Sequence, residues 1–192
     1  MIDYDPARRE IKAAKQKIEQ MKLSKDYDSY ERLWRELLIN IQTAHNKLKA
    51  ATLPVRDKFT NHFSKEFSLL STDPLLSYLV HARNQHEHQI YDVAQKIPPS
   101  IVRRSLPGRS SHYIEKMVIE NGKIVEYKGD PLMVSVTPET CEVVAVSDRG
   151  RIYQPPEMHL GKPLKTRNPI EIGTRGVNFY KDWIERSSKV FV

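Results

Sequence analysis

The sequence predicts an α+β fold, with an N-terminal antiparallel four-helix bundle, a small antiparallel β-meander and a C-terminal helix. Apolar residues recur at helical spacing through roughly the first half of the chain. Beyond residue 112 the period changes towards two, around an Asn121-Gly122 dipeptide that favours a hairpin turn. Pro98 and Pro99 separate the two patterns. We therefore predict a helical domain over 1–98, a basic linker over 99–111 and a strand-rich region over 112–192.

The first two helices have clear start signals. Asp5 and Pro6 can begin the first helix, and Asp28 with Glu31 forms a capping box for the second. The narrow apolar stripe of the first consists of Ala7, Ile11, Ala14, Ile18 and Met21. The wider stripe of the second consists of Leu33, Trp34, Leu37, Leu38, Ile41, Ala44 and Leu48. Both patterns predict amphipathic helices that pack on neighbours.

The next two segments complete the predicted bundle. The third carries aromatic and aliphatic residues every four positions, which is typical of a core stripe: Val55, Phe59, Phe63 and Phe67. The fourth is expected over 73–96, with Asp73 as its N-cap and Pro74 in its first turn. Short connections between these helices favour an antiparallel arrangement.

The second half predicts paired strands and a closing helix. Runs over 113–120 and 123–128 flank the Asn-Gly dipeptide and should form a hairpin. Runs over 132–136 and 142–146 predict a second pair, and 151–154 a further strand. Residues 155–176 are rich in Pro, Gly and basic side chains and are expected to be irregular, and 177–192 should form the final helix.

Composition limits the classes of function. The 192 residues carry a net charge of +7 with a pI near 9.4, which favours anionic partners and nucleic acid above all. No apolar run reaches membrane-spanning length and no secretion signal opens the chain, so we expect a cytoplasmic protein without a membrane partner. The single cysteine, Cys141, excludes an internal disulfide framework.

One helix contains a concentrated group of polar side chains. The predicted fourth helix holds His81, Arg83, Asn84, His86, Glu87 and His88. Arg83 falls within its apolar face at ~100° per residue, where an arginine is costly unless an anion meets it. His81 and His88 lie roughly 10 Å apart along the axis, too far for one metal ion, so no metal site is predicted. The alternative interpretation is a solvated polar face, with the arginine paired to Glu87 or Glu66.

This group resembles the motif of a known family. The run Arg83-Asn84-Gln85-His86-Glu87-His88, late in a helical bundle, resembles the Arg-x4-6-His motif of the HEPN family. The resemblance covers about residues 1–98 and implies a metal-independent ribonuclease, often a toxin or antiviral effector, that acts as a homodimer. It implies that Arg83 holds the scissile phosphate, His88 acts as general acid or base, and Asn84 positions them.

Together with this resemblance, the sequence predicts an endoribonuclease that needs no cofactor. Its expected substrate-binding residues are His81, His86, Tyr91, Arg103 and Arg104. One alternative is a non-catalytic helical dimer that binds RNA or a protein partner. Another is a regulatory protein neutralised by a cognate antitoxin, with the strand-rich half as the recognition surface.

Overall fold

The fold combines α-helices with small antiparallel sheets, as predicted at that level. The computed structural model describes residues 2–88, 93–105, 113–120, 123–137 and 140–191. Its helices are α1 (Asp5–Leu23), α2 (Tyr27–Ala51), α3 (Arg56–His62), α4 (Ser64–Thr72), α5 (Pro74–His88) and α6 (Pro169–Val190), with a 3-10 turn at Leu53–Val55. Across the described ranges no helix is both long and apolar enough to cross a membrane.

The strands are short and join in pairs. They are β1 (Ala94–Ile97), β2 (Ser100–Ser105), β3 (Ile114–Glu120), β4 (Lys123–Gly129), β5 (Leu132–Thr137), β6 (Thr140–Val143), β7 (Val146–Asp148), β8 (Arg151–Tyr153), β9 (Met158–His159) and β10 (Lys162–Pro163). The pairs are β1 with β6, β2 with β5, β3 with β4, β7 with β8 and β9 with β10.

The chain divides into two compact units, one of which is discontinuous in sequence. The first unit contains Met1–Lys96 and Cys141–Val192, and the second contains Ile97–Thr140. The sequence-based division placed 112–192 in one region. In the structure α6 packs instead against α1, α2 and α5, within the first unit. The helical core is therefore completed by the end of the chain.

Helices α1 and α2 follow the predicted stripes, but the predicted capping box is wrong. The buried residues of α1 are the five predicted ones, and the seven predicted in α2 are all buried. The N-cap of α2 is Asp26, whose carboxylate accepts a hydrogen bond from the Ser29 N–H at 2.8 Å. Glu31 instead accepts from Arg35 Nε at 2.5 Å along the same helix.

The predicted third helix is divided in two. The chain bends at Phe63 between α3 and α4, and the rings of Phe59 and Phe63 are both buried. Phe59 stacks on Trp183 of α6, with ring centroids 6.3 Å apart. The aromatic stripe is thus core, as predicted, and it packs on the C-terminal helix.

Helix α5 begins as predicted and ends early. The Asp73 carboxylate accepts from the Leu76 N–H at 3.0 Å, which is the expected N-cap. The helix is described to His88, whereas a helix to residue 96 was expected. Ala94–Ile97 forms β1 and pairs with β6, so pairing with a distant segment prevails over the apolar periodicity there.

Among its described residues, the second unit contains two separate pairs of strands. β3 and β4 pair antiparallel with Glu120 opposite Lys123, which confirms the hairpin predicted around residues 121–122. β2 precedes this hairpin in sequence and β5 follows it, and these two strands pair antiparallel with each other. This arrangement corrects two predictions. Residues 132–136 do not pair with 142–146, and the expected linker contains a strand, β2. Residues 106–111 of that linker lie outside the described ranges.

Two glycines allow α6 to approach its neighbours closely. The helix begins at Pro169, after an Asn168 cap, whereas a start at residue 177 was predicted. The prediction was wrong because Gly173 and Gly176, which suggested irregular structure, pack inside the helix interface. A Cβ added at Gly173 would lie 2.5 Å from Leu37 Cδ2. One added at Gly176 would overlap Leu79 Cδ1 on α5. Both positions are buried, so the side chains of Leu37 and Leu79 occupy the space that a Cβ would need.

A buried histidine lies beside α6. His45 of α2 packs against the rings of Tyr180 and Trp183, at centroid distances of 5.6 and 5.5 Å. Its Nε2 is shielded from solvent and has no hydrogen-bond partner within the described ranges. Burial, with a smaller effect from the charge of Lys49, lowers the pKa of His45 to about 4. The imidazole is therefore neutral in the folded protein at neutral pH.

We expect Gly176→Ala to destabilise the protein, because its methyl group would overpack the contact with Leu79. Overpacking of a filled core typically costs about 1–3 kcal/mol. Asn178→Ala on the same helix is the matched control, because Asn178 is exposed and gains similar helix propensity. Urea denaturation should show a loss of stability for the first variant only. Equal stability of the two variants would contradict the close-packing account.

We also expect acid to destabilise the fold through His45. The unfolded chain takes up a proton near pH 6.5, whereas the folded chain resists it until about pH 4. The free energy of unfolding should therefore decrease as the pH is lowered from about 6.5 to about 4. The loss should reach about 3 kcal/mol for this depression of the pKa. His45→Leu should remove this pH dependence, measured by denaturation at a series of pH values. His62→Gln, at an exposed histidine, should keep it. If His45→Leu leaves the slope unchanged, another group is responsible.

Candidate functional site

Helix α5 presents a buried face and a polar edge. Its buried face includes Leu75, Leu76, Tyr78, Leu79, Ala82 and Gln85. His81 and Asn84 are half-buried and three residues apart, so they are neighbours on one side of the helix. Both belong to the polar group that the sequence places on this helix. The structure adds what these two side chains contact.

An aspartate from the C-terminal half meets both side chains. Asp148 ends β7, and its Oδ2 lies 2.7 Å from His81 Nδ1 and 2.8 Å from Asn84 Nδ2. A carboxylate can only accept here, so Nδ1 of His81 carries the proton of this hydrogen bond. One carboxylate oxygen therefore orients both the imidazole and the amide.

The β7–β8 hairpin holds Asp148 in place. Its two-residue turn has positive φ at Arg149 (50°) and Gly150 (76°), the geometry of a tight type I′ hairpin. The Ser147 N–H donates to Gln85 Oε1 of α5 at 2.5 Å. Just before β7, the Tyr78 hydroxyl donates to the Val144 carbonyl at 2.7 Å, and burial raises the pKa of Tyr78 so that it stays a donor.

The ring of Tyr153 completes the support of His81. Tyr153 ends β8 and stacks on the imidazole, with centroids 3.5 Å apart and planes 14° apart. The His81 side chain keeps 24% of its surface exposed, whereas that of Asp148 keeps 8%. Within the described ranges Nε2 of His81 has no hydrogen-bond partner. The ring is thus fixed at one nitrogen and by one face, and its second nitrogen can accept a proton.

The Asp148 carboxylate stays ionised. Burial alone would raise its pKa, but the hydrogen bonds from Asn84 and His81 and the nearby Arg149 outweigh burial, so its pKa is lowered. Arg149 and Arg151 are exposed on the hairpin that carries the carboxylate. The ionised Asp148 therefore accepts the hydrogen bonds of both the His81 imidazole and the Asn84 amide.

Arg83 lies beside this group. It is half-buried, and its Nε is shielded from solvent. Its Nη1 lies 3.4 Å from Asn84 Oδ1. Glu66, one of the two carboxylates considered as its partner, instead binds Arg186 at 2.8 Å.

A second His–Asp contact is more deeply enclosed. His159 Nδ1 lies 3.0 Å from Asp73 Oδ1, and both side chains are at most 8% exposed. Asp73 also accepts from the N–H groups of Leu76 and Leu160, so it joins the start of α5 to the β9–β10 turn. The His159–Asp73 contact is therefore a structural link. His81 is the more accessible of the two histidines.

The predicted site residues are only partly brought together. His81, Arg83 and Asn84 form one group with Asp148 and Tyr153. The backbones of His86 and His88 lie in α5, but their side chains are outside the description, and Tyr91 lies outside the described residues. Arg103 and Arg104 are in strand β2 of the second unit, not in an irregular linker, and their side chains are likewise not described.

Sequence reasoning missed Asp148 and Tyr153. The run Asp148-Arg149-Gly150 is a turn signal that could have placed a hairpin there. It carries no information on which helix the hairpin contacts, more than sixty residues away in sequence. Among the described residues there is no group of three His, Cys, Asp or Glu side chains that could hold a metal ion.

Comparison with known proteins gives no assignment. No family model matches the chain, and no match emerges among curated proteins or solved structures.

Proposed function

We propose that the protein is an endoribonuclease in which His81 transfers protons without a metal ion. The observation that carries this proposal is the 2.7 Å contact between His81 Nδ1 and Asp148, which leaves Nε2 as the reactive nitrogen. A histidine oriented by a buried carboxylate is a suitable general base, because the carboxylate stabilises the imidazolium that forms. Asn84 contributes by holding the same carboxylate oxygen.

The charge around this group supports an anionic substrate. Arg83 lies next to Asn84, and the hairpin adds Arg149 and Arg151. The whole chain carries +7. Arginine suits phosphate because its planar group donates several hydrogen bonds in a fixed geometry. RNA is favoured over DNA because its 2′-hydroxyl supplies a nucleophile next to each phosphate.

The proposed reaction is a transesterification. Nε2 of His81 accepts the proton of the 2′-hydroxyl as its oxygen bonds to phosphorus. The bond from phosphorus to the 5′-oxygen breaks, and that oxygen takes a proton from a general acid. Arg83 stabilises the charge that develops on the phosphate oxygens. The products end in a 2′,3′-cyclic phosphate and a 5′-hydroxyl.

The general acid is proposed to be His88, the histidine implied by the HEPN resemblance. On one helix it lies roughly 10 Å along the axis from His81. One phosphate cannot easily contact both imidazoles at that separation. A homodimer in which α5 of one copy faces α5 of the other would bring His81 and the second copy's equivalent of His88 to one cleft.

A non-catalytic binding module is the second candidate. The same contacts that orient His81 also attach the β7–β8 hairpin to α5 through Gln85 and Tyr78. His81 and Asp148 would then be a structural link on a basic surface that binds RNA without cleaving it. The two candidates differ in what they require at position 81. The binding module needs only a ring that stacks on Tyr153, whereas the enzyme needs a ring that can transfer a proton.

We expect cleavage of single-stranded RNA to persist in EDTA and to depend on His81. His81→Phe keeps an aromatic ring against Tyr153 but removes proton transfer, and should lower the cleavage rate by ~10²–10⁴-fold. Asp148→Asn should cause a smaller loss, because it keeps the shape of the side chain but removes its charge. Labelled RNA on gels gives the rate, and mass spectrometry should identify the cyclic phosphate.

His62→Phe is the matched control, since His62 is an exposed histidine on α3, and it should cleave like the wild type. RNA with 2′-O-methyl groups should be inert. Circular dichroism and thermal melts establish that each variant is folded. RNA binding without cleavage by the wild-type protein would favour the binding module. Cleavage that is indifferent to His81→Phe would contradict the role proposed for His81.

A further inference from the structure

Helices α1 and α6 form a groove with a basic rim. The two helices run antiparallel, since the Tyr4 hydroxyl at the start of α1 donates to the carbonyls of Ser187 and Phe191 at the end of α6. The groove between them has a volume of about 200 Å³. Its apolar floor includes Ile11 and Ile184, which are 5% and 1% exposed.

Two of the residues that line the groove, Arg8 and Glu185, form an ion pair between the helices. Arg8 Nε and Nη2 each lie 3.1 Å from a carboxylate oxygen of Glu185, and Nη2 also donates to the Ser188 hydroxyl at 2.8 Å. The hydrogen bond from Arg8 lowers the pKa of Glu185, with burial opposing it and Lys181 assisting it. Within the described part of the chain, Glu185 is the only carboxylate that lines the groove, and it is already paired.

Three lysines on the two walls carry positive charge without an ion-pair partner. They are Lys12 and Lys15 on α1 and Lys181 on α6, all exposed. Among the described residues none has a carboxylate oxygen within 4.0 Å, whereas other lysines of α1 do. Lys17 pairs with Glu36 at 2.5 Å and Lys22 with Glu19 at 2.8 Å. Lys12 and Lys15 thus place unbalanced positive charge of α1 beside the groove.

We propose that this groove binds an acidic amphipathic helix of a protein partner. A groove between two helices suits a third helix, whose apolar ridge packs against the floor and against the lysine stems. Lysines on both walls match two rows of carboxylates, whereas a single anionic headgroup would be served by one convergent cluster. The volume is also below the ≈ 300–1,000 Å³ typical of small-molecule sites. The apolar floor favours such a helix over nucleic acid.

The test uses a synthetic peptide and the full chain. The peptide carries leucines at positions i, i+3, i+4 and i+7 with glutamates on its flanks, and a scrambled peptide of identical composition is the reference. Fluorescence anisotropy at 150 mM salt should show at least tenfold tighter binding of the patterned peptide. The variant Lys12→Glu/Lys15→Glu/Lys181→Glu should lose at least tenfold in affinity for it, because it places like charge on both walls.

The control variant is Lys25→Glu/Lys58→Glu/Lys65→Glu, which changes the net charge equally at exposed lysines that do not line the groove. It should retain affinity within about twofold. Equal losses in the two variants, or equal affinity for the two peptides, would show a general charge effect and overturn the proposal. So would failure of the patterned peptide to bind. Loss of RNA binding in the groove variant, with peptide affinity unchanged, would assign the surface to nucleic acid instead.

Discussion

The candidate site depends on how α5 is held by two aspartates. Asp73 caps the start of the helix and binds the β9–β10 turn through His159 and the Leu160 N–H. Asp148 contacts the polar edge of the helix through His81 and Asn84. Without the two carboxylates, the polar groups of α5 would lack hydrogen-bond partners in an apolar unit. The two carboxylates thus fix α5 in rotation as well as in position.

The end of the chain has a corresponding role in the core. Helix α6 contacts α1, α2 and α5, and its close approach depends on Gly173 and Gly176. Trp183 reaches the aromatic stripe of α3 and α4, and Tyr180 packs with Trp183 beside His45. Segments from both ends of the sequence are consequently needed to form the unit that carries the site. In the sequence, the second unit, residues 97–140, lies between these two segments.

Several local sequence signals agree with the structure, although the capping box predicted for α2 does not. The stripe of α1, the Asp73 cap and the β3–β4 hairpin each depend on residues close in sequence, and each was predicted. The strand at Ala94–Ile97 was not predicted, because its partner is β6, far along the chain. Asp148 was missed for the same reason. Periodicity and turn residues describe one element at a time, whereas the partner of a strand or a polar side chain is set by tertiary packing.

The central claim is that Asp148 fixes the imidazole of His81 so that Nε2 is the nitrogen that accepts a proton. The most direct measurement is a ¹⁵N–¹H correlation spectrum of the His81 ring, recorded at a pH where the ring is neutral. The account predicts a protonated Nδ1 and an unprotonated Nε2, with this preference lost in Asp148→Ala. A proton on Nε2 in the wild-type protein, or an unchanged tautomer in Asp148→Ala, would contradict it.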